Sequence, residues 1–301
     1  MVLSLVHDYD RSLSVAYAGR DLLRYVYRPT DAQLESPRPY FHPLRTLDGD
    51  VVSLYRPHDH VWHKGIALSL PNVGPANFWG GVTYLRDRGY VQLPNNGAMV
   101  HRGFDHLTRE DHVVRAAHNL DWLTQDGETW FQEVRSFDVT VHASASAWVL
   151  GFSTSFTNVS AADVAIGSPT TEGRDNAGYG GLFWRGPRSF TGGTVYAPGV
   201  VGSDDLMGTR APWMALAGRH DDNDRSSTVV FVDAPGNVDH PVQWFVRSTP
   251  FACLCPAPFF AKETVVTPGS AISLRYAVVI ANGDRGPSGT AELASLGEAA
   301  L

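Results

Sequence analysis

The 301-residue sequence has little cysteine and little lysine, with two residues of each. Cys253 and Cys255 are two positions apart, so on a strand both side chains would point to the same face. That arrangement leaves little room for a disulfide between them. A fold built on a disulfide framework is therefore excluded.

Long hydrophobic runs and blocks of like charge are also missing. No window approaches the roughly 18 apolar residues of a membrane-spanning helix, and the opening MVLSLVHDYDR has too short an apolar run for a secretory signal. We therefore expect a cytoplasmic protein with no membrane partner. The net charge of −7, with no basic stripe to offset it, argues against nucleic acid as a partner.

Turn-forming residues and alternating apolar patterns are abundant instead. The 29 Gly and 19 Pro are scattered as turn signals. Alternation of apolar and polar residues predicts strands over 130–141, 146–156, 227–233, 242–248 and 271–281. No regular succession of strand and helix appears, which excludes a Rossmann or TIM-barrel architecture. We predict an all-β fold: a large antiparallel β-sandwich formed by residues 1–301 as one domain, with few short helices, one of them over 289–301.

The most concentrated polar segment is RPHDHVWHKG, residues 56–65. On a strand, His58 and His60 would share one face and His63 would take the other. The chain must turn between His60 and His63 if the two imidazoles are to act together, and Gly65 favours an irregularity nearby. Three interpretations stay open: half of a divalent metal site, a hydrogen-bonded histidine cluster, or a site for a polyhydroxylated or anionic small molecule.

Further polar residues stand among apolar ones in two other segments. His101 lies in GAMVHRGF, and Glu133 and Arg135 lie in WFQEVRSF. Glu133 and Arg135 share strand parity with Phe131, so both face the interior if the phenylalanine does. A buried carboxylate needs a partner, and the arginine two residues away supplies one. A structural ion pair and a catalytic pair both fit this pattern.

The stretch PTTEGRDNAGYGGLFWRGPRSF, residues 169–190, joins a polar glycine-rich loop to a strand-like end. Charged loops beside a rigid sheet often carry function. Its glycines match neither a dinucleotide fingerprint nor a phosphate loop, and the chain has no GxSxG, HExxH or CxxC motif. Its candidate polar residues are Glu172, Arg174, Asp175, Asn176, Tyr179 and Arg185.

Eight segments, taken in order, resemble one known family. They are DHVWHKGI (59–66), NFWGG (77–81), GAMVHRGF (97–104), EVRSF (133–137), EGRDNAGYGGLFWR (172–185), WMALAG (213–218), DAPGNVDHPVQWFVR (233–247) and PGSAISLRYAVVIANG (268–283). The family is DUF6807, whose members are often labelled methane oxygenase PmoA. Its members usually read Asp-His-Pro-His-His-Arg-Gly in the first segment. Here Asp59, His60, His63 and Gly65 keep that pattern, whereas Val61, Trp62 and Lys64 depart from it.

The resemblance implies a relationship to the galactose-mutarotase-like supersandwich, a large antiparallel β-sandwich that acts on carbohydrates. Members of that fold group bind sugars in a groove across one sheet. The epimerases among them use a histidine as general acid and a glutamate as general base. The oxygenase label conflicts with the sequence, because membrane methane oxidation needs transmembrane helices and the chain has no segment for one.

These observations lead to a hypothesis of function. We expect a carbohydrate-active enzyme that moves protons on a sugar or oxidised sugar, as a mutarotase, epimerase or lyase does. The predicted catalytic residues are His60, His63, Glu172 and Glu133. The predicted substrate-binding residues are His58, Lys64, His101, Arg135, Arg174, Asp175, Asn176, Tyr179 and Arg185.

Two alternatives to this enzyme stay open. One is a metal-dependent enzyme in which His60 and His63 hold a divalent ion, and the other is a non-catalytic module that binds sugars. The main hypothesis needs no cofactor and names a small-molecule carbohydrate as the partner. Assembly into a homo-oligomer is left open.

Overall fold

The computed structural model describes residues 2–301 as two large β-sheets and one short hairpin. Every strand pair within these sheets is antiparallel over the described residues. The predicted antiparallel β-sandwich with few short helices is confirmed. Each of the five predicted strands is present, with ends that differ from the prediction by at most two residues.

The first sheet has 11 strands and the order β1-β2-β3-β4-β5-β14-β20-β19, with β6, β13 and β21 attached beside β5. Its strands are β1 (Leu3–Asp8), β2 (Ser12–Tyr17), β3 (Arg20–Val26), β4 (Tyr40–Leu44), β5 (Ile66–Val73), β6 (Ala76–Phe78), β13 (Val164–Gly167), β14 (Gly181–Arg185), β19 (Gln243–Arg247), β20 (Cys253–Ala257) and β21 (Thr264–Val266).

The second sheet has nine strands in the order β16-β15-β17-β18-β22-β12-β11-β10-β9. They are β9 (Ala98–Arg109), β10 (Val113–Leu123), β11 (Thr129–His142), β12 (Ala147–Asn158), β15 (Thr194–Ala197), β16 (Val200–Gly202), β17 (Trp213–Arg219), β18 (Ser226–Asp233) and β22 (Ala271–Asn282). The hairpin is formed by β7 (Thr83–Leu85) and β8 (Gly89–Val91).

The main core lies between the two large sheets. Trp184 of β14 is buried there with Leu150 of β12 and Val278 of β22. Successive residues of a strand point to opposite faces, so Phe183 and Arg185 of β14 lie on the outer face of the first sheet. In both sheets, alternate residues of each strand form the outer face.

The outer faces of the two sheets are covered differently. The helix α1 (Gly286–Glu298) lies on the second sheet, where Leu293 packs with Val149 and Val279. The first sheet instead carries an apolar cluster on its outer face, formed by Trp79, Phe183, Phe245, Cys253, Cys255, Ala257 and Phe260. Loops, rather than a helix, surround this cluster, and they bring the polar residues described below.

Helical structure is short throughout the described chain. The helix α1 begins before the predicted residue 289, because Pro287 is accommodated in its first turn. The remaining helical segments are four 3₁₀ turns of three residues each, at Gln33–Glu35, Ala143–Ala145, Arg188–Phe190 and Asp204–Leu206. None of the helices in residues 2–301 has the length and apolar character needed to cross a lipid bilayer.

Candidate functional site

The histidine segment folds as two consecutive turns rather than as a strand. The amide of His60 donates to the carbonyl of Pro57 at 3.0 Å, and the amide of His63 donates to the carbonyl of His60 at 2.9 Å. The second turn brings the rings of His60 and His63 into a stack, with centroids 4.7 Å apart and planes 18° apart. The chain thus makes the turn that joint action of these imidazoles requires.

The stacked pair opens onto a crevice of ≈ 460 Å³ on the outer face of the first sheet. Residues of the loops between strands and of β8, β14 and β19 surround it. Its lining comprises His60, Trp62, His63, Trp79, Gly80, Val82, Tyr90, Arg174, Tyr179, Phe183, Phe245, Arg247, Pro250 and Phe251. Of the predicted site residues, His60, His63, Arg174 and Tyr179 meet here.

Trp62 forms one wall of the crevice by packing on two glycines. A Cβ atom at Gly80 would lie 2.6 Å from Trp62 Cβ, and one at Gly81 would lie 2.7 Å from the indole ring. Gly80 and Gly81 also have positive φ values, of 104° and 69°. The segment NFWGG therefore supplies the close approach that this tryptophan needs.

The two imidazoles present opposite hydrogen-bonding groups to the crevice. Arg185 Nη1 lies 3.0 Å from His63 Nδ1, and a guanidinium can only donate, so neutral His63 carries its proton on Nε2. Asp59 Oδ2 lies 3.3 Å from His60 Nδ1, an ionic contact short of a well-aligned hydrogen bond. The carboxylate can only accept, so it favours the His60 proton on Nδ1 and leaves the Nε2 lone pair free.

Burial keeps both imidazoles neutral. Burial lowers the pKa of His63 well below 6.5, and His60, when protonated, and the charge of Arg185 lower it further. Burial also lowers the pKa of His60, against the opposing effect of Asp59. Near neutral pH, His60 is therefore a proton acceptor and His63 a hydrogen-bond donor.

Arg185 and Asp59 hold the pair from behind. Arg185 is fully buried, lies 3.7 Å from the ring centroid of Phe251, and has Nη2 3.8 Å from Asp59 Oδ2. Burial lowers the pKa of Arg185 to about 10, so it stays charged at neutral pH. Arg188 donates to Asp59 Oδ1 at 3.0 Å, which fixes the carboxylate between two guanidiniums.

Glu133 and Arg135 lie in the core between the sheets and do not line the crevice. The Glu133 carboxylate accepts from Arg135 Nε at 2.7 Å, Trp122 Nε1 at 2.7 Å and Thr154 Oγ1 at 2.6 Å. Burial works to lower the pKa of Arg135, and Glu133 more than offsets that effect, so the pKa is raised. The prediction that they act on a substrate is corrected: they form a closed structural ion pair.

His101 is also absorbed by the core. Its Nδ1 contacts His118 Nδ1 at 2.8 Å, and His118 Nε2 contacts the Tyr25 hydroxyl at 2.8 Å. His101 lies on β9 of the second sheet and does not line the crevice. We call the residues Tyr25, His101, His118, Glu133 and Arg135 the core polar cluster.

Lys64 is buried beside the histidine turns and serves as their anchor. Its Nζ lies 3.0 Å from Asp31 Oδ1 and also pairs with Glu35. Arg56 Nε donates to the same Glu35 at 2.8 Å. Lys64 is held by these two acids and does not line the crevice. The prediction that it binds substrate is therefore corrected.

The remaining predicted residues lie around the rim or beyond it. His58 is exposed and accepts from Arg188 at 3.1 Å. Glu172 is half-buried, and Asp175 and Asn176 are exposed. None of these four lines the crevice, so the predicted glutamate base is absent from its wall.

Several crevice residues were not predicted. Phe245 and Arg247 point to the outer face of the predicted strand 242–248. The alternation in that strand was therefore enough to place both on the same face. Trp62 lies within the histidine segment itself, next to His63. Phe251 follows a strand end, where no local pattern marks it.

Two groupings of side chains contain residue types that bind metal ions. The rings of His60 and His63 are nearly parallel, and a nitrogen lone pair lies in its ring plane, so the two cannot aim at one ion as they stand. Asp50, His220 and Asp222 have ligand atoms within 4.8 Å of one another. However, Asp50 is already neutralised by Arg225, whose Nε donates to it at 2.8 Å.

Comparison with known proteins places the chain by sequence and relates it to solved structures. Residues 12–295 match DUF6807, a family of unknown function. No curated protein sequence matches the chain. The galactose 1-epimerase from Lactobacillus acidophilus NCFM superposes with a TM-score of 0.43 and 6% identity, covering 94% of this chain and 98% of that one.

Two galactosidases are similar over part of their length. A variant of the GH36 alpha-galactosidase AgaA from Geobacillus stearothermophilus, in complex with 1-deoxygalactonojirimycin, gives a TM-score of 0.40 and 11% identity, covering 97% of this chain and 42% of that one. The alpha-galactosidase from Lactobacillus brevis gives a TM-score of 0.39 and 9% identity, covering 94% and 40%. The chain thus spans less than half of these galactosidases, and at such TM-scores only the crevice itself supports a function.

Proposed function

The chain belongs to the DUF6807 family, and we propose that it is a carbohydrate-active enzyme that transfers a proton on a sugar bound in the crevice. His60 takes the proton through Nε2 and returns it. His63 donates a hydrogen bond from Nε2 to a substrate oxygen that gains negative charge. The observation that carries this proposal is the opposite hydrogen-bond polarity of two stacked imidazoles in one aromatic crevice.

The crevice suits a ligand of monosaccharide size. Its volume of ≈ 460 Å³ falls within the range of about 300–1,000 Å³ that is usual for small-molecule sites. Trp62, Trp79 and Tyr179 offer apolar ring faces against which the C–H face of a sugar can lie. The imidazoles and guanidiniums are then left to meet its oxygens.

The electrostatics favour His60 as the group that gains the proton. When His60 becomes an imidazolium, the Asp59 carboxylate 3.3 Å away stabilises the new charge. His63 stays neutral because Arg185 blocks its second nitrogen. A neutral imidazole that donates to a developing oxyanion is an established way to stabilise an enolate-like transition state. Mutarotation, epimerisation and β-elimination each use such a base and donor.

The test is turnover by the purified chain. Reducing sugars, uronates and 3-keto-glycosides are incubated with the protein, and products are followed by NMR and by solvent deuterium exchange. We expect exchange or conversion of at least one class. His60→Asn keeps a donor toward Asp59 and removes the base, so it should abolish turnover, whereas His58→Asn nearby should not.

The outcomes separate the proposed enzyme from a binding module. Saturable sugar binding without any chemical change, unaltered in the His60→Asn protein, would establish the module instead. No change in any of the three substrate classes would reject the proposal.

A further inference from the structure

We propose that the substrate of this crevice is a sugar that carries an anionic group, a carboxylate or a phosphate, held by Arg174 and Arg247. The inference rests on the proposed function and specifies its substrate class. It is carried by two guanidiniums that face the crevice without an acidic partner.

Both arginines line the crevice in a half-buried position. Over residues 2–301, no carboxylate oxygen lies within 4.0 Å of either guanidinium. Arg174 lies over the ring of Tyr90, 4.8 Å from its centroid, and donates to its hydroxyl. Arg247 lies 5.5 Å from the ring centroid of Phe245. Aromatic faces thus orient the two cations and leave most of their N–H groups for a ligand.

The charge balance of the crevice is opposite to that of the chain. The sequence carries 31 acidic against 24 basic residues, yet the crevice lining contains two arginines and no aspartate or glutamate. Behind the histidine pair, Asp59 opposes the positive charge of Arg185, so the excess positive charge of the crevice comes from Arg174 and Arg247. Apolar walls focus such a field, so the crevice attracts an anion that the rest of the surface repels.

An anionic group also matches the geometry of the donors. A guanidinium offers a planar fork that fits the two oxygens of a carboxylate or phosphate. Both guanidiniums are half-buried without an acidic partner among residues 2–301, so a bound anion can accept charge-assisted hydrogen bonds from them. A neutral sugar would leave both cations without a counter-charge. We place the anion against Arg174 and Arg247, with the sugar ring toward the histidine pair.

Titration calorimetry on the full chain tests the substrate class with matched ligands. The pairs are galactose with galacturonate and glucose with glucuronate, and glucose 6-phosphate forms the phosphate arm. We expect at least one anionic sugar to bind about 10-fold or more tightly than its neutral parent. The preference should narrow as salt is added. Comparing the uronate and phosphate arms identifies the anion.

Substitutions assign the preference to the two arginines. Arg247→Gln and Arg174→Gln should each remove most of the preference for the anion, because each should weaken binding of the anionic sugar more than binding of its neutral parent. Arg247→Lys should restore part of it, because the charge returns without the fork. Arg109→Gln, an exposed arginine on β9 with no acidic partner, removes the same net charge and should change nothing.

Failure of this inference differs from failure of the proposed function. Anionic sugars bound no better than their parents, or a preference that survives Arg247→Gln in a protein with unchanged melting temperature, would overturn the substrate class. Turnover of neutral sugars that depends on His60 would overturn it as well and leave the enzyme assignment intact. Arginine-dependent binding of a uronate without turnover would support the substrate class and reject the enzyme.

Discussion

The crevice and the core polar cluster each contain a pair of contacting imidazoles, and the two pairs are used differently. In the core, the Nδ1 atoms of His101 and His118 face each other at 2.8 Å, and Tyr25 occupies the second nitrogen of His118. In the crevice, Asp59 and Arg185 engage only the Nδ1 atoms of His60 and His63, and neither Nε2 atom has a hydrogen-bond partner among residues 2–301.

The difference shows that partners, rather than residue type, separate a structural polar group from a reactive one. Glu133 receives three donors and is sealed, whereas Arg247 has aromatic contact and no acid. Substitution of a polar group whose hydrogen bonds are satisfied by protein partners should lower stability. Substitution of a polar group without such partners should affect the substrate instead. The four predictions below test this division.

The largest expected effect is on catalysis in the crevice. His60→Asn should lower kcat by about 10²–10⁴-fold, because it removes a positioned base, and should leave the melting temperature nearly unchanged. Steady-state rates on the best substrate of the turnover panel provide the measurement. Glu172→Gln is the matched control, since Glu172 lies outside the crevice. A rate loss for Glu172→Gln as large as for His60→Asn would contradict the division.

Next in size is a loss of stability in the core. Glu133→Gln should lower the free energy of unfolding by about 3–5 kcal/mol, because Arg135 is left as a buried cation without its counter-charge. Urea unfolding measures the change. The Glu172→Gln protein should stay within about 0.5 kcal/mol of the wild type. A Glu133→Gln protein as stable as the wild type would show that the ion pair is not structural.

A smaller loss is expected from the core histidine pair. His118→Phe leaves the Tyr25 hydroxyl and His101 Nδ1 without their partner, at a cost of about 1–3 kcal/mol in unfolding free energy. Turnover per folded molecule should not change. His58→Asn, at an exposed histidine, should cost less than about 0.5 kcal/mol. Equal stability losses in the two variants would show that the core histidine pair contributes no more to stability than an exposed histidine.

The last prediction is a gradual dependence of stability on pH. Burial lowers the pKa of both His42 and His101 to about 4 and that of His118 well below 6.5. An unfolded chain binds these protons near pH 6.5, so it gains protons first as the pH falls. Stability from these groups is therefore complete above pH 6.5 and is lost progressively toward pH 4. Melting temperatures measured from pH 7.5 to 4.5 should fall, and less steeply for His118→Phe; a flat profile would contradict the expectation.

Strand parity was enough to predict much of the fold. Periods of two residues located five of the strands and placed Glu133 and Arg135 in the interior with Phe131. Parity could not decide whether that pair was catalytic, because the answer lies in Trp122 and Thr154 on neighbouring strands. Whether a buried polar group is satisfied by protein partners depends on residues distant in the sequence, so no local pattern predicts it.

The site was predictable only in part, for the same reason. His60 and His63 are three residues apart, and a single turn is enough to stack them. The proton position of His63 depends on Arg185, which is 122 residues away in the chain. The sequence predicts Glu172 or Glu133 as the base, yet Glu133 lies in the core, and only Arg174 and Tyr179 of the polar loop line the crevice. Their placement follows from how the loop packs on the sheet, which local sequence does not specify.

The outer face of the first sheet is covered by loops and not by a helix, and this has an evolutionary consequence. Helix α1 seals the opposite side of the sandwich, so changes there disturb packing. Around the crevice, by contrast, the walls are loop residues such as Trp62 and Phe251, which stand outside the main core. Related chains can therefore differ in the ligand that they bind through substitutions in these loops, because such substitutions leave the packing between the two sheets intact.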